Sequence, residues 1–226
     1  MTKILRSVKS TLILSVFLFT QLHSFAQSGQ PKYLPNFLLP EFTKGNIKYK
    51  NGETKSAVMN YNIIDQELVL VQDDRYMAVE YPQMIDTVHV ADRLLVPFQK
   101  SLWELALSAP VALFIQHRGK LELAGAEIGY GQTSRSSGGQ YLRQIYGPTR
   151  TYSLDIPEGH KVVNATEYWI RMTDGSMENF TTRRQFLKIF ASQEKEINQF
   201  INRNRIDFTK ASDVVKLAAF CNELNK

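Results

Sequence analysis

Along residues 45–72, GNIKYKNGETKSAVMNYNIIDQELVLVQ, apolar and polar positions alternate with a period of two. Ile47 and Tyr49 sit between polar neighbours, and Asn51-Gly52 is the dipeptide best suited to a tight hairpin turn. Asn62 to Asp65 turns the chain again, into Leu68-Val69-Leu70-Val71. The pattern predicts three antiparallel strands here, a meander onto which later strands add. Asp73-Asp74 reads as an exposed turn before Tyr76 to Tyr81. From Asp86 to Ala91 the alternation places Val88 and Val90 on one face, Thr87 and His89 on the other. Leu94 to Val96 continues as a strand that Pro97 confines to an edge or an end.

Ser101 to Ser108 fits a helical turn or a strand equally. Val111 to His117 and Lys120 to Ala124 read as two strands joined in a tight hairpin around Arg118-Gly119. Val111, Leu113 and Ile115 share one face of the first, and Leu121 and Leu123 share one face of the second. Strand character returns at Thr151 to Ile156 and Lys161 to Met172, around Pro157-Glu158-Gly159, and Asp174-Gly175 marks another turn.

From Thr181 the period changes from two to 3.6. Thr182-x-x-Gln185 matches a capping box ahead of Phe186, Leu187 and Phe190. Ser192 is the expected cap of a second helix with Ile197, Phe200 and Ile201 on one stripe. Thr209 and Asp213 open a third, where Val214, Leu217, Ala218, Cys221 and Leu224 recur at helical spacing. Helices this short are marginal alone, so they must pack on each other or on the sheet. The expected fold class is therefore α+β: an antiparallel β-rich body (meander, sandwich- or barrel-like) followed by a C-terminal three-helix appendage. The boundaries are a leader over 1–26, the β-rich domain over 27–174 and the helical appendage over 175–226. Residues 27–43, QSGQPKYLPNFLLPEFT, read as an arm over the body, with Tyr33, Phe37 and Leu39 as anchors.

The leader changes the charge argument. Lys3, Arg6 and Lys9 precede an apolar run from Thr11 to Leu22, and Ser24-Phe25-Ala26 ends it with small residues. These are the parts of a secretory signal peptide cleaved after Ala26. A spanning helix needs about 20 apolar residues, more than this core has. With no cysteine behind the core, a lipoprotein is not expected. The 27 Lys and Arg against 22 Asp and Glu become 24 against 22 once the leader's three bases are gone. Nucleic acid then loses its electrostatic motive as a partner. Cys221 is the single cysteine, so no intramolecular disulfide is available in an oxidising compartment, and its place on an apolar helical stripe suits packing.

The KNGETKSAVMNYN hairpin, the GAEIGYGQTSRSS segment and the tail from Glu167 to Leu224 together resemble a group of exported, functionally uncharacterised proteins from Gram-negative bacteria. The similarity covers most of the mature chain. It implies a destination in the periplasm, at the cell surface or outside the cell, and carries no catalytic residue.

Candidate chemistry is sparse. Residues 129–148, GYGQTSRSSGGQYLRQIYGP, combine five glycines, three tyrosines, Arg135 and Arg143 without an acid. The glycines match neither the dinucleotide fingerprint nor a P-loop, so no nucleotide cofactor is expected. Tyr130, Arg135, Tyr141 and Arg143 are the candidate contacts there, for a glycan or another anionic or polyhydroxyl partner. His89, His117 and His160 lack the spacing of a preformed metal site, and no Gly-x-Ser-x-Gly elbow occurs. No catalytic residue and no metal ligand is assigned. Between Thr181 and Lys210 the tail carries seven bases against three acids, with Arg183 and Arg184 the candidate contacts for an acidic partner. The expected function is a non-enzymatic interaction or structural module of the cell envelope, binding an envelope protein or a glycan. A carbohydrate- or cell-wall-binding protein and, further off, a hydrolase are the alternatives.

Overall fold

The computed structural model describes residues 34–124, 127–128, 132–133 and 154–224. The leader, and with it Tyr33, lies outside them. So does most of the Gly/Ser-rich segment, including the candidate contacts Tyr130, Arg135, Tyr141 and Arg143.

The alternating segments do form strands. β1 (Thr43–Tyr49), β2 (Thr54–Asn62), β3 (Glu67–Gln72) and β4 (Arg75–Ala78) make the expected antiparallel meander. Gly52, at φ 88°, takes the left-handed conformation that the first turn requires. Asp73 and Asp74, at 51° and 57°, turn the chain between β3 and β4. A 3-10 turn at Pro82–Met84 then returns the chain, and β5 (Ile85–Val90) pairs with the free side of β1. A second meander follows through β6 (Arg93–Phe98), β7 (Ser101–Leu107) and β8 (Ala112–Gln116). The ambiguous stretch at Ser101 is thus a strand. Pro97 stands at the end of β6, where a missing N–H costs least.

The hairpin expected around Arg118-Gly119 does not form. β9 (Gly119–Leu123) leaves the large sheet and pairs with β12 (His160–Asn164) in a sheet of two strands. The cause lies in distant parts of the chain: Gly119 N donates to Ile63 O at 2.8 Å, and a Cβ there would lie 2.9 Å from Val162 and 3.1 Å from Ile63. That glycine serves a crowded corner, not a turn. Between these strands, β10 (Glu127–Ile128) and β11 (Gln132–Thr133) pair with each other. Of the strand expected at Thr151 to Ile156, the described part, 154–156, is not extended into any sheet. The chain rejoins the large sheet as β13 (Glu167–Arg171), which pairs with β8, and β14 (Met177–Phe180), which completes it beyond Asp174.

The result is a ten-stranded antiparallel sheet ordered β14-β13-β8-β7-β6-β5-β1-β2-β3-β4. It curls on itself. Tyr61 on β2 accepts a hydrogen bond from Leu102 N on β7 at 3.4 Å, and Gln116 donates to Gln66 at 2.7 Å. Ile47, Tyr61, Leu68, Val88, Leu95 and Leu102, from six strands, fill the inside of the curl. The N-terminal arm extends the pairing of β1: Leu38 N donates to Tyr61 O, Ile63 N to Asn36 O, and the Asn60 side chain clamps both backbone groups of Leu39. Phe37 and Leu39 are buried, as anchors should be.

Three helices close the other half: α1 (Arg183–Ile189), α2 (Glu194–Asn204) and α3 (Ala211–Leu224). Thr182 and Gln185 form the capping box, the threonine hydroxyl accepting Gln185 N and the glutamine carbonyl accepting Thr182 N. Ser192 does not cap α2. It lies inside a 3-10 turn, Ala191–Gln193, and Gln193 is the N-cap residue, with no side-chain capping hydrogen bond. Phe186, Phe190, Ile197, Ile201, Val214, Leu217 and Cys221 meet Leu113, Ile115, Tyr168, Ile170 and Phe180 of the sheet in one core. Asn222 anchors α3 by accepting from Val111 N and donating to Val111 O, both at 2.9 Å.

Candidate functional site

On α1 the core-facing positions are Phe186 and Phe190, one turn apart, which turns 184 and 188 outward. Arg183 lies beside this boundary. Its Nε donates to Asn198 Oδ1 at 3.1 Å, one terminal nitrogen donates to the same oxygen, and that nitrogen also reaches Asn202 Oδ1 at 2.9 Å. Asn198 and Asn202 are one turn apart on α2, so the planar guanidinium staples two helices together. Arg184 is different: it is exposed and, like Lys188, forms no ion pair among the described residues. The structure therefore separates two neighbouring candidates into a strut and a free cation.

Arg184 and Lys188 border an open groove of about 580 Å³, lined also by Arg183, Leu187, Ala191 and Glu194. Leu187 and Ala191 are its apolar part. The 3-10 turn after α1 bends the chain so that Glu194, in the first turn of α2, joins the same rim. A surface of this type can hold a partner by charge and shape.

A second constellation lies on the inner face of the sheet. Leu95 on β6, Glu104 on β7 and Ile115 on β8 stand in one row. Leu95 belongs to the core of the curl and Ile115 to the helix-covered core, so Glu104 is a carboxylate set between two apolar clusters. Arg93 reaches its Oε2 at 2.5 Å and His117 Nε2 reaches the same oxygen at 2.6 Å. Burial pushes the Glu104 carboxyl up. The hydrogen bond and charge of His117, with those of Arg93, outweigh it and hold the carboxyl below its ordinary value. Arg93 Nε is enclosed with no acceptor. An acid on an imidazole is half of a triad, but among the described residues His117 has no hydroxyl partner and Cys221 is buried in the helical core. Burial drives the Cys221 thiol up to about 12, which keeps it a thiol at neutral pH. The cluster is a buried ion arrangement suited to fixing three strands.

The opposite face of the same strands carries aromatics. Phe98 stacks on Trp103 at 3.8 Å between centroids, and Trp103 lies 5.0 Å from Trp169. Both indole N–H groups are enclosed without acceptors. Trp103 is only 3% exposed, while Phe98 and Trp169 beside it are half-buried.

Sequence reasoning missed Arg93, Glu104 and His117 as a group. The signal was available: Glu104 is the lone acid at an inward position of an otherwise apolar strand, a place that demands a partner. Its partners sit 11 and 13 residues away, on neighbouring strands whose register the pattern alone leaves open. Among the described residues, no group of three or more His, Cys, Asp or Glu side chains is arranged to hold a metal ion, and no described helix is long and apolar enough to cross a membrane. Comparison with known protein families, with curated proteins and with solved structures finds no match to this chain.

Proposed function

We propose that this protein is exported and acts as a non-enzymatic interaction module in or near the cell envelope, meeting its partner through the basic surface of the C-terminal helices. The leader composition and the resemblance to exported proteins support the destination. The contact surface rests on one observation: Arg184 and Lys188 stand exposed, one turn apart, beside an open groove, while their neighbour Arg183 is bound to two asparagines. Seated cations that serve the fold are paired in this molecule, as Arg93 and Arg118 are. Two that are not, on a helix whose inner face is fixed by Phe186, are available to a partner.

The test is made in cells. The full chain is expressed in a Gram-negative host, fractionated, and its mature N-terminus sequenced. Intact envelopes are then crosslinked with wild type and with the double variant R184E/K188E. Recovery outside the cytoplasm with a start at Gln27, and loss of specific adducts in the variant, is the expected result. Retention in the cytoplasm removes the export reading, and unchanged adducts remove the contact surface.

A further inference from the structure

We infer that the groove on α1 takes an acidic, partly apolar peptide segment of a partner protein, with Arg184 and Lys188 meeting its carboxylates and Glu194 meeting a base. This rests on the interaction reading above and names the chemistry of the partner. Three features of the groove choose it. The cations lie one helical turn apart, about 5–6 Å between Cβ atoms, which is within reach of two side chains on one face of a short extended or helical segment. Leu187 and Ala191 give the groove an apolar part, so the occupant brings an apolar side chain as well as charge. The rim also carries a carboxylate, Glu194, which repels anions and favours a base.

That last feature separates a peptide from a membrane. A sheet of anionic headgroups approaches the whole rim at once, and Glu194 opposes it. A peptide can place acids over Arg184 and Lys188 and a lysine or a free amino terminus over Glu194. A rim that joins bases, an apolar part and one acid suits a peptide, which can meet each with a different side chain. The groove is also held in shape before anything binds. Arg183 ties α1 to α2 through Asn198 and Asn202, and the capping box fixes the start of α1, so little ordering is left to oppose association.

The experiment uses the full mature chain and a short fluorescein-labelled peptide with blocked ends, alternating Asp and Leu and closing on Lys. Binding is followed by anisotropy at low ionic strength, where exposed charges are least screened. R184E/K188E is expected to weaken the peptide at least about tenfold, and a companion peptide with lysines in place of the aspartates is expected to regain affinity on that variant. Reversal of two exposed bases on α2, K195E/R203E, is expected to change affinity by less than about twofold. Glu194→Lys is expected to weaken the lysine-ended peptide and to strengthen one ending in Asp.

Equal weakening by both double variants overturns the proposal, since it means attraction to net charge alone. So does binding of phosphatidylglycerol vesicles that depends on Arg184 and Lys188 while the peptide stays unbound. Should the peptide fail while Arg184-dependent adducts persist in envelopes, the partner chemistry is wrong and the contact surface stands. Circular dichroism confirms that each surface variant is folded.

Discussion

Two sets of charges, one inside the sheet and one outside the helices, are handled in opposite ways. At Glu104 the carboxylate is 12% exposed and holds Arg93 and His117 on a single oxygen. At α1, Arg184 and Lys188 stay in water beside an open groove. Desolvation explains the contrast. A charge between two apolar cores is tolerable only when paired, and removing one partner costs far more than the pair contributes. A surface cation costs almost nothing unpaired, and pairing it gains little, so nothing in the fold compels a partner. Inside, the pairing accounts for the charges. Outside, the fold leaves the charges unexplained, which is why function is sought there.

Five changes sharpen or break that contrast, in falling order of effect on stability. Phe186→Ala empties the side of α1 that faces the core and should cost about 3–5 kcal/mol, read as a lower urea midpoint. Glu104→Ala leaves Arg93 and His117 without their carboxylate and should cost about 3 kcal/mol, at the low end for a broken buried pair because Arg93 is partly exposed. Arg183→Ala removes the staple between α1 and α2, and about 1.5–3 kcal/mol is expected in thermal unfolding.

The fourth concerns acid. The Glu104 carboxyl is held below the 4.5 of a free glutamate, so the unfolded chain takes its proton first as pH falls. Its contribution is complete above about pH 4.5 and is lost as pH drops through the lower, folded value. Asp174 and Asp207 are also lowered, by hydrogen bonds from Ser176 and Thr209, and add to the same slope. The difference between wild type and Glu104→Gln isolates the glutamate: the variant should lose less stability between pH 5 and pH 3. Equal slopes would show that the ion cluster is not a working pair. The fifth and smallest is R184E/K188E, expected within about 0.5 kcal/mol of wild type in urea.

Alternation made the strands from β1 through β8 legible, β7 excepted, because a period of two follows from a strand with one covered face. It also gave Thr182 and Gln185 as the start of α1, where the capping chemistry is local. What the pattern could not supply was long-range pairing. Arg118-Gly119 looked like a hairpin turn because glycine after a strand usually is one. Its actual reason is Ile63, more than 50 residues earlier, whose carbonyl and side chain crowd Gly119. Ser192 failed as a cap because the backbone left α1 through a 3-10 turn first. At the site, the excess of bases in the tail pointed to Arg183 and Arg184 together. Only the positions of Asn198 and Asn202 show that the first of them is already engaged.

The central claim is that the free cations of α1 serve a partner while the buried charges serve the fold. The most direct measurement takes R184E/K188E and Glu104→Gln side by side, comparing crosslinked adducts in intact envelopes with the urea midpoint of each purified chain. The double variant is expected to lose its adducts at an unchanged midpoint, and Glu104→Gln to keep its adducts at a lowered one. The reverse pattern, or adducts retained when Arg184 and Lys188 are reversed, would contradict it.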